Sequence, residues 1–383
     1  MNGRDLHDAM EFVGPDLIDM AETARFSPSL WRTLLATAAC AILLCGLGTV
    51  LAGQSLTTVP EVPPEAAAVE LEHQPAEPAE EPEICDPATP EEAFYAWFPH
   101  IDRSSMESYI QANPETLAQG WDRILINEAG PDDPGTEIRT TQGDSVLAID
   151  AENQILLIRV TGDTYRGVLA IANKASRLRL APSSQLGIAG ETVGTIAQAN
   201  HGILAINGSG FKDMDGTGNG GLLYGYAMCS GISYNAEEHL SDFYRRLEID
   251  KEGVFRLAGI QEPIGEDTLH AVEFGPALLK DGEILVDESC GFTGKHPRAV
   301  IGQGENNQIL MLVIEGRLPG YSEGTDVMQC ADLLAGYGCQ TALNLDGGTS
   351  AILWYDGECV TRCSNSQLSE GRNLPNAFVL TAE

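Results

Sequence analysis

Apolar positions along this chain of 383 residues fall into two kinds of pattern. One uncharged run, Leu34–Ala52, has about the length of a bilayer-spanning helix. Residues 1–33 precede it, which predicts a retained membrane span in place of a cleaved leader. From about Ser145 the runs become short and β-rich, at Val146–Ile149, Ile155–Val160, Tyr165–Ile171 and Leu178–Leu180. They resume at Gly202–Ile206, Ala277–Leu279, Glu283–Val286, Ala299–Ile301, Gln308–Ile314, Ala342–Leu345, Ala351–Trp354 and Asn376–Leu380. Glu191–Asn200 and Asp326–Gly336 carry helical spacing instead. This pattern predicts an α+β domain with mostly antiparallel strands.

Between span and strands the texture changes twice. Residues 53–88 are rich in Pro, Glu and Ala and poor in groups able to repay ordering entropy, which predicts an extended, disordered stalk. Thr89-Pro90-Glu91-Glu92 then supplies a capping hydroxyl, a first-turn proline and acids for a helix start. Asp102–Ala112 and Pro114–Ala129 are expected to continue a small helical region over 89–140, followed by a domain over 141–383.

Charge adds orientation and excludes one partner class. Arg4, Arg25 and Arg32 precede the span, and no Lys or Arg occurs from Gly53 to Asp102. This asymmetry predicts a cytoplasmic N-terminal segment, a single-pass anchor in the cell membrane and an extracellular C-terminal domain. A net charge of -34 lacks the basic footprint that nucleic-acid binding needs. Cys85, Cys229, Cys290, Cys330, Cys339, Cys359 and Cys363 fall on the outer side, where disulfides persist; the odd number leaves at least one outside any intrachain pair. Cys359 and Cys363 flank a segment short enough for a bond between them to close a loop, and no spacing matches a CxxC zinc site.

Candidate chemistry gathers at strand ends. Asn344-Leu345-Asp346-Gly347-Gly348-Thr349-Ser350 places a carboxylate, two glycines and two hydroxyls after an apolar run. It reads either as a polar β-turn or as a small-molecule site. An internal echo is present: a helix and strand lead into Asn207-Gly208-Ser209-Gly210, just as a helix and strand lead into Asp346–Ser350. Lys295-His296-Pro297-Arg298 concentrates cationic groups in an acidic chain and suits an anion. Glu315, closing Leu312–Ile314, is a second carboxylate. Phe211–Asn219 begins like a calcium loop but has Tyr224 where an EF-hand places its closing acid, so calcium is an option and no cofactor is expected. Ser350 lacks a GxSxG elbow, and neither His201, His239 nor His270 is marked as its base.

Taken in order, Leu204–Phe211, Phe274–Leu278, His296–Gly302, Val313–Arg317, Ala342–Ser350 and Asn373–Ala377 resemble the phosphodiester glycosidase family across roughly residues 145–383. The resemblance implies two intertwined α+β half-domains around a shared cleft. It further implies that Asp346 serves as acid/base or stabilising carboxylate, Arg298 holds a phosphodiester and Asn207 holds sugar or phosphate. Gly208, His296, Glu315, Gly347, Gly348, Thr349 and Ser350 are implied to complete the substrate site. Two positions depart from the family pattern, Ser209-Gly210 in the first turn and Glu315 in place of a frequent Asp. The expected activity is hydrolysis of a sugar-1-phosphodiester in cell-envelope or exopolysaccharide glycans. A non-catalytic glycan-binding envelope protein and a metal-dependent phosphodiesterase are the alternatives.

Overall fold

A computed structural model describes residues 89–213, 218–236 and 238–382. The predicted span and stalk lie outside the described residues, as does Cys85. Among the described residues no helix is long and apolar enough to cross a membrane.

Helix α1 (Pro90–Trp97) starts as its sequence dictates, with the Thr89 hydroxyl accepting the Glu92 N–H at 3.2 Å. Helix α2 (Arg103–Ala112) is capped in the same way by Asp102. The third expected helix does not form. Pro114–Leu117 and Trp121–Arg123 make single 3₁₀ turns, and Leu125–Asn127 becomes strand β1. Gly120 sits between the two turns at φ +100°, a backbone state that a helix cannot contain.

The remaining strands are β2 (Ser145–Asp150), β3 (Ile155–Thr161), β4 (Arg166–Ala172), β5 (Leu178–Pro182), β6 (Gly202–Asn207), β7 (Ala227–Cys229), β8 (Ile232–Tyr234), β9 (Arg245–Asp250) and β10 (Phe255–Gly259). They continue through β11 (Thr268–Phe274), β12 (Ala277–Lys280), β13 (Glu283–Ile284), β14 (Arg298–Gly304), β15 (Ile309–Ile314), β16 (Cys339–Asn344), β17 (Leu353–Tyr355), β18 (Glu358–Cys359) and β19 (Asn376–Thr381). A nine-stranded sheet runs β1-β2-β3-β4-β15-β14-β16-β12-β13. Two five-stranded sheets run β10-β9-β11-β7-β8 and β18-β17-β6-β19-β5. Every named pairing is antiparallel, as the short alternating runs predict.

Alternation along the strands sorts the core into layers. Leu157, Val168, Ile301, Val313 and Leu343 leave one face of the large sheet and pack with Leu247, Val272, Leu353 and Phe378 from the two smaller sheets. Leu156, Leu169, Val300 and Leu312 leave the opposite face and meet Phe94, Met106 and helix α4 (Val327–Gly336). Helix α3 (Val193–Ala199) covers the outer side of the third sheet through Ile196 and Ala197.

Strands β9 and β11 escape hydrophobic patterning because one face is ionic. Arg246, Glu248 and Glu273 are buried there, with Arg246 Nε donating to Glu248 at 2.8 Å. No disulfide joins the described cysteines: Cys229, Cys290, Cys330, Cys339, Cys359 and Cys363 are all free. Cys330 and Cys339 serve instead as small apolar groups of the α4 layer.

Central strand β15 carries the packing on both faces of the large sheet. Replacing Leu312, fully buried there, by alanine is expected to lower unfolding stability by about 2–5 kcal/mol, read from denaturant titration.

Candidate active site

The ends of β6, β14, β15 and β16 meet at one edge of the layered core. Register requires part of this meeting: Arg298 opens β14 opposite Ile314 at the end of β15, and Val300 pairs with Asn344 at the end of β16. The Asp346–Ser350 turn therefore lies beside His296–Arg298 and Glu315–Arg317. Strand β6 arrives from a different sheet and is joined by side-chain hydrogen bonds. Fully buried Asn207 donates from Nδ2 to the Asp346 carbonyl at 2.8 Å, and its Oδ1 accepts the Ile352 N–H at 3.4 Å.

The two glycine turns are packed too closely for other residues. A Cβ on Gly208 would stand 2.2 Å from Asn376 Oδ1, the atom that accepts the Ser209 N–H at 2.7 Å. Gly348 takes φ +58° and donates its N–H to the Pro297 carbonyl at 3.1 Å. A Cβ there would lie 3.1 Å from Arg317 Nη1, so the guanidinium rests against the turn. Arg317 itself holds φ +58°, a left-handed conformation uncommon outside glycine and of the kind that clusters at functional sites.

The sequence-predicted residues divide by accessibility. Asp346, Gly347, Thr349 and His296 are half-buried, as is Arg317. Thr349 Oγ1 shares a 3.1 Å hydrogen bond with Ser364. The His296 main chain exchanges 3.1 Å hydrogen bonds with Thr325, which fixes the loop entering β14. Ser350 is buried, and its N–H closes the turn on the Gly347 carbonyl at 3.0 Å.

Arg298 and Glu315 lie deeper. Arg298 is 1% exposed; Nε donates to the Thr325 carbonyl at 3.1 Å and Nη2 to the Gly294 and Phe292 carbonyls at 2.9 and 3.4 Å. These bonds tie down the loop before β14. Glu315 is also 1% exposed and accepts the Arg362 N–H at 2.6 Å. Burial raises its pKa above the ordinary 4.5, against the opposing pull of the Arg362 N–H, Tyr321 and the guanidiniums of Arg159 and Arg166.

Aromatic side chains line an adjoining stretch. A Cβ on Gly210 would meet the Phe274 ring at 2.8 Å and the Tyr224 ring at 3.6 Å. Tyr244 links those rings to Phe243, and Phe243 stacks on Phe292 at 5.8 Å with planes 7° apart. Phe292 in turn lies 5.8 Å from the Arg298 guanidinium. The rings thus run from the Asn207 turn to the base of the Asp346 turn.

The possible calcium loop follows the Asn207 turn in sequence. Asp213 accepts the Gly218 N–H at 2.8 Å and lies 3.9 Å from Arg372 Nη2; residues 214–217 lie outside the described residues. Among the described residues no group of three or more His, Cys, Asp or Glu is placed to hold a metal ion.

Residues 200–381, which contain every element of this constellation, match the family model for phosphodiester glycosidases. This region is similar to the phosphodiester glycosidase family. An uncharacterised protein of Bacillus subtilis (strain 168), the SPbeta prophage-derived YomE, is 25% identical over 186 residues. That similarity covers 46% of this chain and 28% of YomE, so the chain spans under a third of its relative. Among solved structures, the zebrafish N-acetylglucosamine-1-phosphodiester alpha-N-acetylglucosaminidase catalytic domain, auto-inhibited by its pro-peptide, gives a TM-score of 0.49 at 18% identity. The superposition covers 60% of this chain and 82% of that domain. A hypothetical protein from Synechocystis gives a TM-score of 0.39 at 16% identity, covering 63% of this chain and 65% of its own.

Arg317 and Asn376 fall within the family motifs, but only folding brings them to the Gly348 and Gly208 turns. Asn207→Asp replaces the amide donor with a carboxylate facing a carbonyl and is expected to lower unfolding stability by about 1–3 kcal/mol in denaturant titration.

Glu315 generates a pH prediction. Its folded pKa is raised, so its protonated form favours folding and stability falls as pH climbs from the ordinary 4.5 through the folded value. Glu315→Gln is expected to flatten that part of the stability–pH curve, measured by thermal unfolding between pH 4 and 8 in ~0.5-unit steps.

Proposed function

We propose that this protein hydrolyses a sugar-1-phosphodiester, releasing the free sugar and a phosphomonoester. The observation that carries the reading is the half-buried Asp346 carboxylate on a turn whose main chain is held by Asn207 and Pro297. A carboxylate fixed in this way suits acid/base work or stabilisation of positive charge developing at the anomeric carbon. Phosphate is a better leaving group than an alcohol, so departure requires less proton donation than an ordinary glycoside does. The family of residues 200–381 supports the same chemistry.

In this reading Arg317 faces the phosphodiester, because its guanidinium rests on Gly348 while Arg298 is committed to the loop beneath. Thr349 and the neighbouring backbone donate hydrogen bonds to sugar or phosphate oxygens. Tyr224, Tyr244 and Phe274 supply flat apolar surface for a sugar ring. The natural substrate is proposed to be a cell-envelope or exopolysaccharide glycan. Leu34–Ala52 is proposed to anchor the chain in the cell membrane with the folded domain outside.

The test is incubation of the full chain with a GlcNAc-1-phosphodiester, followed by product analysis. Free sugar plus phosphomonoester is expected; release of sugar-1-phosphate, or binding without turnover, overturns the proposal. Asp346→Asn is expected to lower kcat/KM by roughly 10²–10⁴-fold while leaving the unfolding midpoint near wild type.

A further inference from the structure

Two arginines outside the family-matched region point into the layer behind the Asp346 turn. Leu157, Val168 and Val313 belong to the core shared with the smaller sheets. Arg159 lies two residues beyond Leu157, Arg166 two before Val168 and Glu315 two beyond Val313, so the period of two puts all three on that face. Strand pairing β3-β4-β15 brings them to one end of the sheet, where the Glu315 N–H donates to the Arg166 carbonyl at 2.9 Å.

The polar atoms there are incompletely satisfied. Arg159 is 4% exposed, and its Nη2 donates to the Gly130 and Asp133 carbonyls at 2.9 and 3.2 Å. Its Nε and Nη1, together with Arg166 Nε and Glu315 Oε2, are buried without a hydrogen-bond partner. The Tyr321 hydroxyl, which adjoins the Glu315 carboxyl, donates its one proton to the Pro131 carbonyl at 3.0 Å. The Tyr321 ring is flanked by Arg166 and Arg362, with guanidinium carbons 5.0 and 4.1 Å from its centroid.

Charge is unbalanced as well. Arg362 pairs with Asp132, which leaves Arg159 and Arg166 sharing one buried carboxylate, with the exposed Asp133 as the nearest other acid. Buried charge without hydrogen-bonded compensation is costly. Water would satisfy the idle N–H groups but not the excess of positive charge.

We propose that Arg159, Arg166 and Glu315 form an oxyanion-binding site for a group of the phosphate class. Three idle guanidinium nitrogens suit a tetrahedral oxyanion. Glu315 completes the shell when protonated, its hydroxyl donating through Oε2. The groups that face it are Arg159 from β3, Arg166 from β4, and Tyr321 and Arg362 from the covering loops, with Asp132 and Asp133 behind them. The site adjoins the Asp346 turn through one continuous segment: Arg362 N–H binds Glu315, Cys363 Sγ donates to the Thr349 carbonyl, and Ser364 meets the Thr349 hydroxyl.

The test is calorimetric titration of the full chain with inorganic phosphate, which requires no turnover and so fails or succeeds apart from the glycosidase reading. Saturable binding is expected, weakened roughly tenfold or more by Arg159→Gln and by Arg166→Gln. Glu315→Gln is expected to bind several-fold more tightly than wild type where Glu315 is ionised, the ratio falling toward one as pH is lowered and Glu315 takes up its proton. Comparison at each pH cancels the titration of phosphate itself. Absence of saturable binding, or binding indifferent to Arg166→Gln and Glu315→Gln in variants with native near-ultraviolet circular dichroism, overturns the proposal. If the protein turns over substrate, competitive inhibition by phosphate identifies the group as the substrate's own; non-competitive inhibition identifies free phosphate.

Discussion

Strands β6 and β16 belong to different sheets, yet the turns that follow them are joined through one side chain. The Asn207 amide spans this gap, donating to the Asp346 carbonyl and accepting the Ile352 N–H. Because Asn207 is fully buried, an unmet polar atom there would carry its whole desolvation cost. The bond therefore sets the separation of the two turns and the direction of the Asp346 backbone. What Asp346, Thr349 and Arg317 present to solvent depends on that placement.

The neighbouring arginines illustrate how burial separates similar side chains. Arg298 and Arg317 flank the same turn, but Arg298 spends its donors on the carbonyls of Phe292, Gly294 and Thr325. Arg317 instead lies half-buried against Gly348. Arg159 and Arg166 form a third case, the first buried and the second half-buried, with buried donors idle. In a chain of net charge -34, these guanidiniums concentrate positive charge at one end of the large sheet. Glu315 lies on the boundary between the two groups, its carboxyl among the arginines and its backbone leading to Arg317.

Most strands of the large and third sheets were legible because their alternation or continuous apolar character is local. Strand β15, Ile309–Ile314, is an unbroken apolar run buried on both faces, and the expected strand covers it. Strands β9 and β11 were not legible, because Arg246, Glu248 and Glu273 look like solvent-facing charges until they are paired under a loop. The helix expected over Pro114–Ala129 failed for a related reason: β1 gains its hydrogen bonds from β2, a partner distant in sequence. The free cysteines likewise show that a short spacing such as Cys359 to Cys363 does not by itself imply a bond.

By itself, the sequence determined the α+β class, the succession of most strands and the turns that carry Asn207 and Asp346. These features rest on residue periodicity and on glycines beside polar groups, which are local properties. Tertiary structure alone decided that the two turns touch, that Arg298 lies beneath them while Arg317 lies against them, and that Arg159 and Arg166 converge on Glu315. Those outcomes depend on strand register and burial, and both arise from pairings between segments far apart in the chain.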